Sequence, residues 1–282
     1  METMKRLTEI LESQGLDTTS KLSPKDYEQF KVDGLNDTVG DRDKADGYNC
    51  PFCKNKGFIA KVVETDGNYS HCFTDCKCVE IRNSIMRMKR SGLKDIIKDY
   101  TFDKFEDKEP WQKTLKSAAM EYAKYPEGWL FFGGQSGCGK THLCTATCRE
   151  FLLAGKSVQY MLWRDDVTKL KSAVTDTEEY GKLIDRYKNA DVLYIDDLFK
   201  TGKVDVGFQK PTAADINVAF EILNYRYNNP SLITIISSEL SEDELLDIDE
   251  AIGGRIYERA KKAFSIAKDR KKNYRIRKAV TI

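Results

Sequence analysis

The sequence lacks any long hydrophobic stretch. No apolar run approaches the roughly 18 residues that a membrane-crossing helix requires, so a membrane span is not expected. A secretory leader is not expected either, because Met1 to Gln14 is charged and helical in pattern rather than apolar. There is no excess of one charge: 46 Lys and Arg stand against 45 Asp and Glu, so any site for a polyanion must be local. Together these absences point to a cytoplasmic protein. In a reducing compartment its 8 cysteines are not expected to form disulfides, and clustered cysteines there more often bind metal.

What is present falls into two parts, as 282 residues allow. Leu7, Ile10 and Leu11, then Tyr27 and Phe30, read as one or two small amphipathic helices, followed by an acidic, glycine-containing loop over 33–49. A cysteine module follows at about 48–80: Cys50-Pro51-Phe52-Cys53, a β-like stretch from Ile59 to Val63, a turn at Asp66-Gly67-Asn68, and Cys76-Lys77-Cys78. Two thiolates two residues apart can grip one tetrahedral ion, and a second pair closes the set. Cys50, Cys53, Cys76 and Cys78 are the expected zinc ligands, with His71 or Cys72 as substitutes for Cys76 or Cys78. The other readings are reduced buried thiols or a redox pair. A basic helix from Val79 to Leu93, capped at Gly92, leads away from the module. The expected boundaries are an amino-terminal domain at 1–95, a linker at 96–110 carrying Tyr100, Phe102 and Phe105, and a second domain at 111–282.

In the second domain apolar strands alternate with helices. Strands are expected at Gly128 to Phe132, Ser157 to Trp163, Val192 to Ile195 and Leu232 to Ile236, with a helix from Ala213 to Tyr227 before the last. This is an α/β pattern with a parallel sheet covered on both faces, whose ligands collect at the carboxyl ends of strands. Gly134-Gln135-Ser136-Gly137-Cys138-Gly139-Lys140-Thr141 matches the phosphate loop G-x-x-x-x-G-K-[ST], and His142 opens the following helix. Its backbone N–H groups would cradle phosphates, Lys140 would reach the β- and γ-phosphates, and Thr141 would hold Mg²⁺. Asp196 would take Mg²⁺, directly or through water, and Asp197 would orient or deprotonate an attacking water. Ser237 or Ser238 ends another strand and would bond the γ-phosphate or that water, unless Ser-Ser-Glu merely caps the acidic helix over 241–247. Arg255 or Arg259, one turn apart after Gly253-Gly254, would stabilise charge on the transferring phosphoryl group. The plain alternative for them is a salt bridge to Glu258 or to the acidic run at 242–250.

The phosphate loop, Tyr194 to Lys200, Ile235 to Glu239 and Gly253-Gly254-Arg255-Ile256 together resemble the DnaC/DnaI family of bacterial and phage replicative-helicase loaders. The resemblance covers about residues 100 to 270. The front cysteine module is similar to the zinc-binding domain of the DnaI-like branch. The resemblance implies an AAA+ P-loop fold preceded by a small zinc-binding α+β domain, with ATP, Mg²⁺ and Zn²⁺. It also implies homo-oligomers with active sites at subunit interfaces, and delivery of a DnaB-type helicase onto single-stranded DNA. Lys140 and Thr141 then belong to Walker A, Asp196 and Asp197 to Walker B, Ser237 or Ser238 to sensor 1, and Arg255 or Arg259 to the arginine finger. Many AAA+ enzymes carry Asp-Glu where this chain has Asp196-Asp197, which implies slow hydrolysis. Sensor 1 is often asparagine. The chain after Lys262 is short for a helical lid, leaving Arg270 and Arg275 as sensor 2 candidates. The family places DNA-binding elements after the second strand, where Arg164, Lys169 and Lys171 lie; Lys200, Lys203 and Lys210 form a second basic cluster. Transposition-helper ATPases resemble the same core, and an ATP-gated adaptor without productive turnover would carry the same motifs.

Overall fold

The computed structural model describes residues 23–88, 96–201 and 210–277. The expected helix carrying Leu7, Ile10 and Leu11, the cap at Gly92, and Lys203 lie outside them. Contacts divide the chain into two units, Met1–Val79 and Glu80–Ile282.

In the first unit a helix, α1 (Pro24–Asp37), packs on an antiparallel hairpin of β1 (Phe58–Thr65) and β2 (Asn68–Asp75). Ser23 caps α1 by accepting from the Asp26 amide, and Pro24 takes the first turn, where no N–H is needed. Asp66 and Gly67 both have positive φ, 51° and 76°, between paired Thr65 and Asn68. That is the two-residue turn whose twist matches the hairpin. Asn36 ties helix to hairpin through both its side-chain atoms, donating to the Ala60 carbonyl and accepting from its amide at 3.0 Å each. Among the described residues no helix is long and apolar enough to cross a membrane.

The second unit is a five-stranded parallel sheet in the order β4-β5-β6-β3-β7, comprising β3 (Trp129–Gly134), β4 (Val158–Leu162), β5 (Val192–Asp196), β6 (Ile233–Ser237) and β7 (Lys262–Ile266). A helix from Cys78 to Met88, α2, enters this unit, and α3 (Pro110–Lys124) precedes β3. Then come α4 (Lys140–Leu153), α5 (Trp163–Ala173), α6 (Thr177–Asn189), α7 (Ala213–Tyr227), α8 (Glu242–Ile248) and α9 (Glu250–Arg259). Burial of β3, β4, β5 and β6 is nearly complete, as parallel strands covered on both faces require. The fifth strand, β7, is a finding beyond the four expected. Lys262-Ala263-Phe264-Ser265-Ile266 is an edge strand, mostly half-buried, and too polar to register as an apolar run. Ser241 with Glu244 forms the capping box of α8, so neither Ser237 nor Ser238 is its cap.

Arg226 on α7 is fully buried; its guanidinium donates to Thr234 Oγ1 and to the carbonyls of Tyr187, Lys188, Ala190 and Ile233. These bonds tie α7 to the end of α6 and to the start of β6. Burial nevertheless lowers its pKa to about 10. Replacing it leaves buried carbonyls without donors, so Arg226→Met is expected to lower the unfolding free energy in urea by about 3 kcal/mol.

Candidate nucleotide site and metal centre

The cysteine site forms where two turns meet. Lys54 and Asn55 have positive φ, 48° and 67°, and the Asn55 carboxamide accepts from the Cys50 amide at 2.7 Å. The Gly57 amide donates to Cys53 Sγ at 3.2 Å, and the Cys76 amide donates to the Gly57 carbonyl at 2.9 Å. Cys50, Cys53, Cys76 and Cys78 are buried, with their sulfurs all within 4.8 Å of one another. Burial opposes the Cys53 thiolate, but the Gly57 amide and neighbouring thiols outweigh it and lower its pKa. The set suits Zn²⁺, which takes four thiolates tetrahedrally. His71 and Cys72 are not members: His71 pairs with Glu28 at 3.0 Å, and Cys72 sits in β2 opposite Lys61.

The phosphate loop follows from β3 and opens α4. Gly134, at φ 93°, donates its amide to the Leu240 carbonyl, and a Cβ there would collide with the Ile266 carbonyl oxygen. Gly139, at φ 97°, admits the Phe105 ring where a side chain would stand. Gln135 and Ser136 complete the turn, whose mouth is a cavity of about 350 Å³. Gly137, Cys138, Gly139, Lys140, Thr141, His142 and Asp197 line it. The Lys140 ammonium donates to the Gly134 and Gln135 carbonyls at 2.8 Å each. Stacked on Tyr100 and edge-on to Phe105, His142 donates from Nε2 to the Thr101 carbonyl at 2.8 Å. Its burial lowers its pKa.

Asp196 ends β5 and is buried. Its carboxylate accepts from Thr141 at 3.2 Å, Tyr194 at 2.7 Å, Tyr160 at 3.0 Å and the Ser237 hydroxyl. Burial, with Asp196 beside them, raises the pKa of both tyrosines and keeps them as donors. Asp197 follows in the left-handed region at φ 57°, and its N–H donates to Ser237 Oγ at 3.1 Å. Burial, then Asp196, holds the Asp197 carboxyl above the usual carboxylate range. Ser238 is buried and donates to the Leu198 carbonyl at 2.8 Å, away from the cavity.

Four residues at this site had no assigned role in the sequence: Tyr160, Tyr194, Glu239 and Tyr274. Tyr160 and Tyr194 looked like strand aromatics, and only the register of β4 with β5 aims both hydroxyls at Asp196. Glu239 lines the cavity. Tyr274 and Arg275 reach it from beyond β7, where the Tyr274 amide donates to the Gly137 carbonyl at 2.9 Å. Of the two sensor 2 candidates, Arg275 is therefore at the cavity; Arg270 is not among its lining residues.

The remaining expected residues lie elsewhere in the unit. Arg255 on α9 bonds Asn224 at 3.1 Å and the Ala251 carbonyl at 2.7 Å, and it stacks on Phe220 and Tyr227. Arg259 also lies over Tyr227. Among the described residues no salt bridge to Glu258 or the acidic run joins either arginine. Arg164 is exposed on α5, Lys169 pairs with Asp166 at 2.8 Å, and Lys171 pairs with Asp215 at 2.7 Å. Lys200 turns toward Asp197 and Glu239 rather than standing in a free basic cluster.

Comparison with known proteins agrees with this geometry. A family model described as IstB-like ATP binding protein matches residues 74–280. Phage-like element PBSX protein XkdC of Bacillus subtilis (strain 168) is 33% identical over 226 residues, covering 76% of this chain and 80% of that protein. Replicative helicase loader DnaC of Escherichia coli (strain K12) is 29% identical over 128 residues, covering 43% of this chain and 52% of that protein. The crystal structure of the DnaC helicase loader superposes with a TM-score of 0.50 at 21% identity, covering 60% of this chain and 96% of that one, which speaks for the AAA+ fold alone. The chain spans about half the length of the curated loader (52%) and of a solved DNA replication initiation factor (53%).

Two measurements check the site. Elemental analysis is expected to find one zinc per chain, lost in Cys53→Ser and kept in Cys72→Ser and His71→Ala. Lys140→Ala is expected to weaken ATP binding roughly 10- to 100-fold in titration calorimetry, the loss of a charge-assisted contact.

Proposed function

This chain belongs to the IstB-like ATP-binding family, and from that premise we propose that it is a slow AAA+ ATPase that loads a DnaB-type replicative helicase onto single-stranded DNA. The observation that carries the reading is the convergence of Lys140, Thr141, Asp196 and Asp197 at the carboxyl ends of β3 and β5, beside a cavity large enough to bury much of a nucleotide. The loader relative and the cysteine module in front support the choice of partner.

The geometry supports the following residue roles. The loop amides and Lys140 would bind the phosphates. Thr141 and Asp196 would hold Mg²⁺, which supplies charge neutralisation between the β- and γ-phosphates. Asp197 would take the proton of the attacking water as the water oxygen bonds to the terminal phosphorus and ADP leaves with the electron pair of the broken bond. Arg255 or Arg259 lies outside the cavity lining and would serve a neighbouring subunit's site, as an interface finger does. Arg164 and Lys169, the more exposed of the α5 cations, would meet the DNA backbone, and that contact would weaken with salt.

Size-exclusion chromatography with light scattering, run on the protein mixed with a DnaB-type helicase, is expected to give a joint peak whose mass depends on ATP. Absence of any joint peak, with or without ATP, sinks the loader reading. Asp197→Asn is expected to cut the ATPase rate by about 100-fold or more while leaving nucleotide affinity near wild type. A rate equal to wild type would favour the adaptor without productive turnover.

A further inference from the structure

Lys200 closes the turn that follows β5. Its amide donates to the Asp197 carbonyl at 2.9 Å, which folds the chain back on itself. The ammonium then lies 2.8 Å from Asp197 Oδ2 and 3.1 Å from Glu239 Oε1. The turn is anchored to the end of β6: the Leu198 amide donates to the Ser237 carbonyl at 2.8 Å, and Ser238 Oγ donates to the Leu198 carbonyl. Asp197 and Phe199 both occupy the left-handed region, at φ 57° and 58°, a backbone cost that clusters at functional sites.

We propose that Lys200 is a restraint on hydrolysis supplied by the chain itself: its ammonium occupies the Asp197 oxygen that an attacking water needs, and ATP turns over slowly until Lys200 is withdrawn. This rests on the reading of Asp197 as the water-activating carboxylate. A general base has to accept from its water within about 2.6–3.2 Å, and Oδ2 already accepts from Lys200 inside that range. The ammonium also works against the burial and the Asp196 charge that raise the Asp197 pKa, so its withdrawal leaves a stronger proton acceptor.

The restraint is reversible by construction. With its side chain 37% exposed, Lys200 is not locked in, and pairs of this exposure are individually weak. It also has somewhere to go. Besides the nucleotide cavity it borders a second cavity of about 310 Å³, walled by Leu198 and Phe199, by the acids Glu239, Glu244 and Asp247, and by Lys210 and Lys268, the last already paired with Glu244. An ammonium swung out of the first cavity would keep Glu239, which borders both cavities, and would meet Asp247 in the second.

The test is steady-state ATP hydrolysis by the full chain, with nucleotide affinity measured alongside. Lys200→Met is expected to raise kcat roughly tenfold with Kd for ATP little changed, while Lys200→Arg, which keeps the charge, stays near wild type. Lys200→Gln, the more soluble neutral variant, is read in its place if Lys200→Met does not fold. A merely structural lysine would not raise kcat on removal. Unchanged kcat in the neutral variants overturns the restraint, as does a fall, which would make Lys200 a group the reaction requires. The two readings fail separately. A wild-type chain that hydrolyses ATP but is not accelerated sinks the restraint alone, whereas failure of every variant to bind ATP sinks the nucleotide site itself.

Discussion

The carboxylate of Asp196 is the point on which the second unit depends. It is buried, and it accepts hydroxyls from Thr141 on α4, Tyr160 on β4, Tyr194 on β5 and Ser237 on β6. Burying a carboxylate costs several kcal/mol, and hydrogen bonds to a charged group recover roughly 1.5–3 kcal/mol each, so four of them are of the size needed. The arrangement also fixes geometry. The phosphate-loop helix and three strands converge on one atom group, which fixes the strand ends and the loop relative to one another.

The turn after Asp196 uses that rigidity. Ser237 both donates to Asp196 and accepts from the Asp197 amide, so one hydroxyl sets the aim of two consecutive acids. Ser238, next in the chain, faces the other way and clamps Leu198. Alternation along the strand end thus divides two adjacent serines between the acids and the turn.

Much of this was legible in the sequence, and what was not has physical reasons. The central strands are apolar runs of β-branched and aromatic residues, and the helix from Ala213 to Tyr227 carries its own capping box, Thr212 with Asp215, so both announce themselves locally. The phosphate loop is a fixed spacing of glycines dictated by backbone conformation. The four cysteines follow from spacing too, while the exclusion of His71 and Cys72 needed the hairpin register that carries them along β2. β7 escaped because an edge strand needs only one apolar face. Tyr160 and Tyr194 escaped because an aromatic in a strand is ordinarily core, and its hydroxyl's target depends on which strands are neighbours. Lys200 escaped for a similar reason: a lysine's sequence shows its charge and not the carboxylates it turns toward.

The cavity wall deserves its own reading, because it is assembled from the extremes of the unit. Asp99, Tyr100 and Phe105 contribute from before the first strand of the sheet, and Tyr274 and Arg275 from after the last. During synthesis, therefore, the phosphate loop and its acids emerge well before the pocket does. The nascent chain acquires that wall of the pocket only when residues 274–275 have left the ribosome.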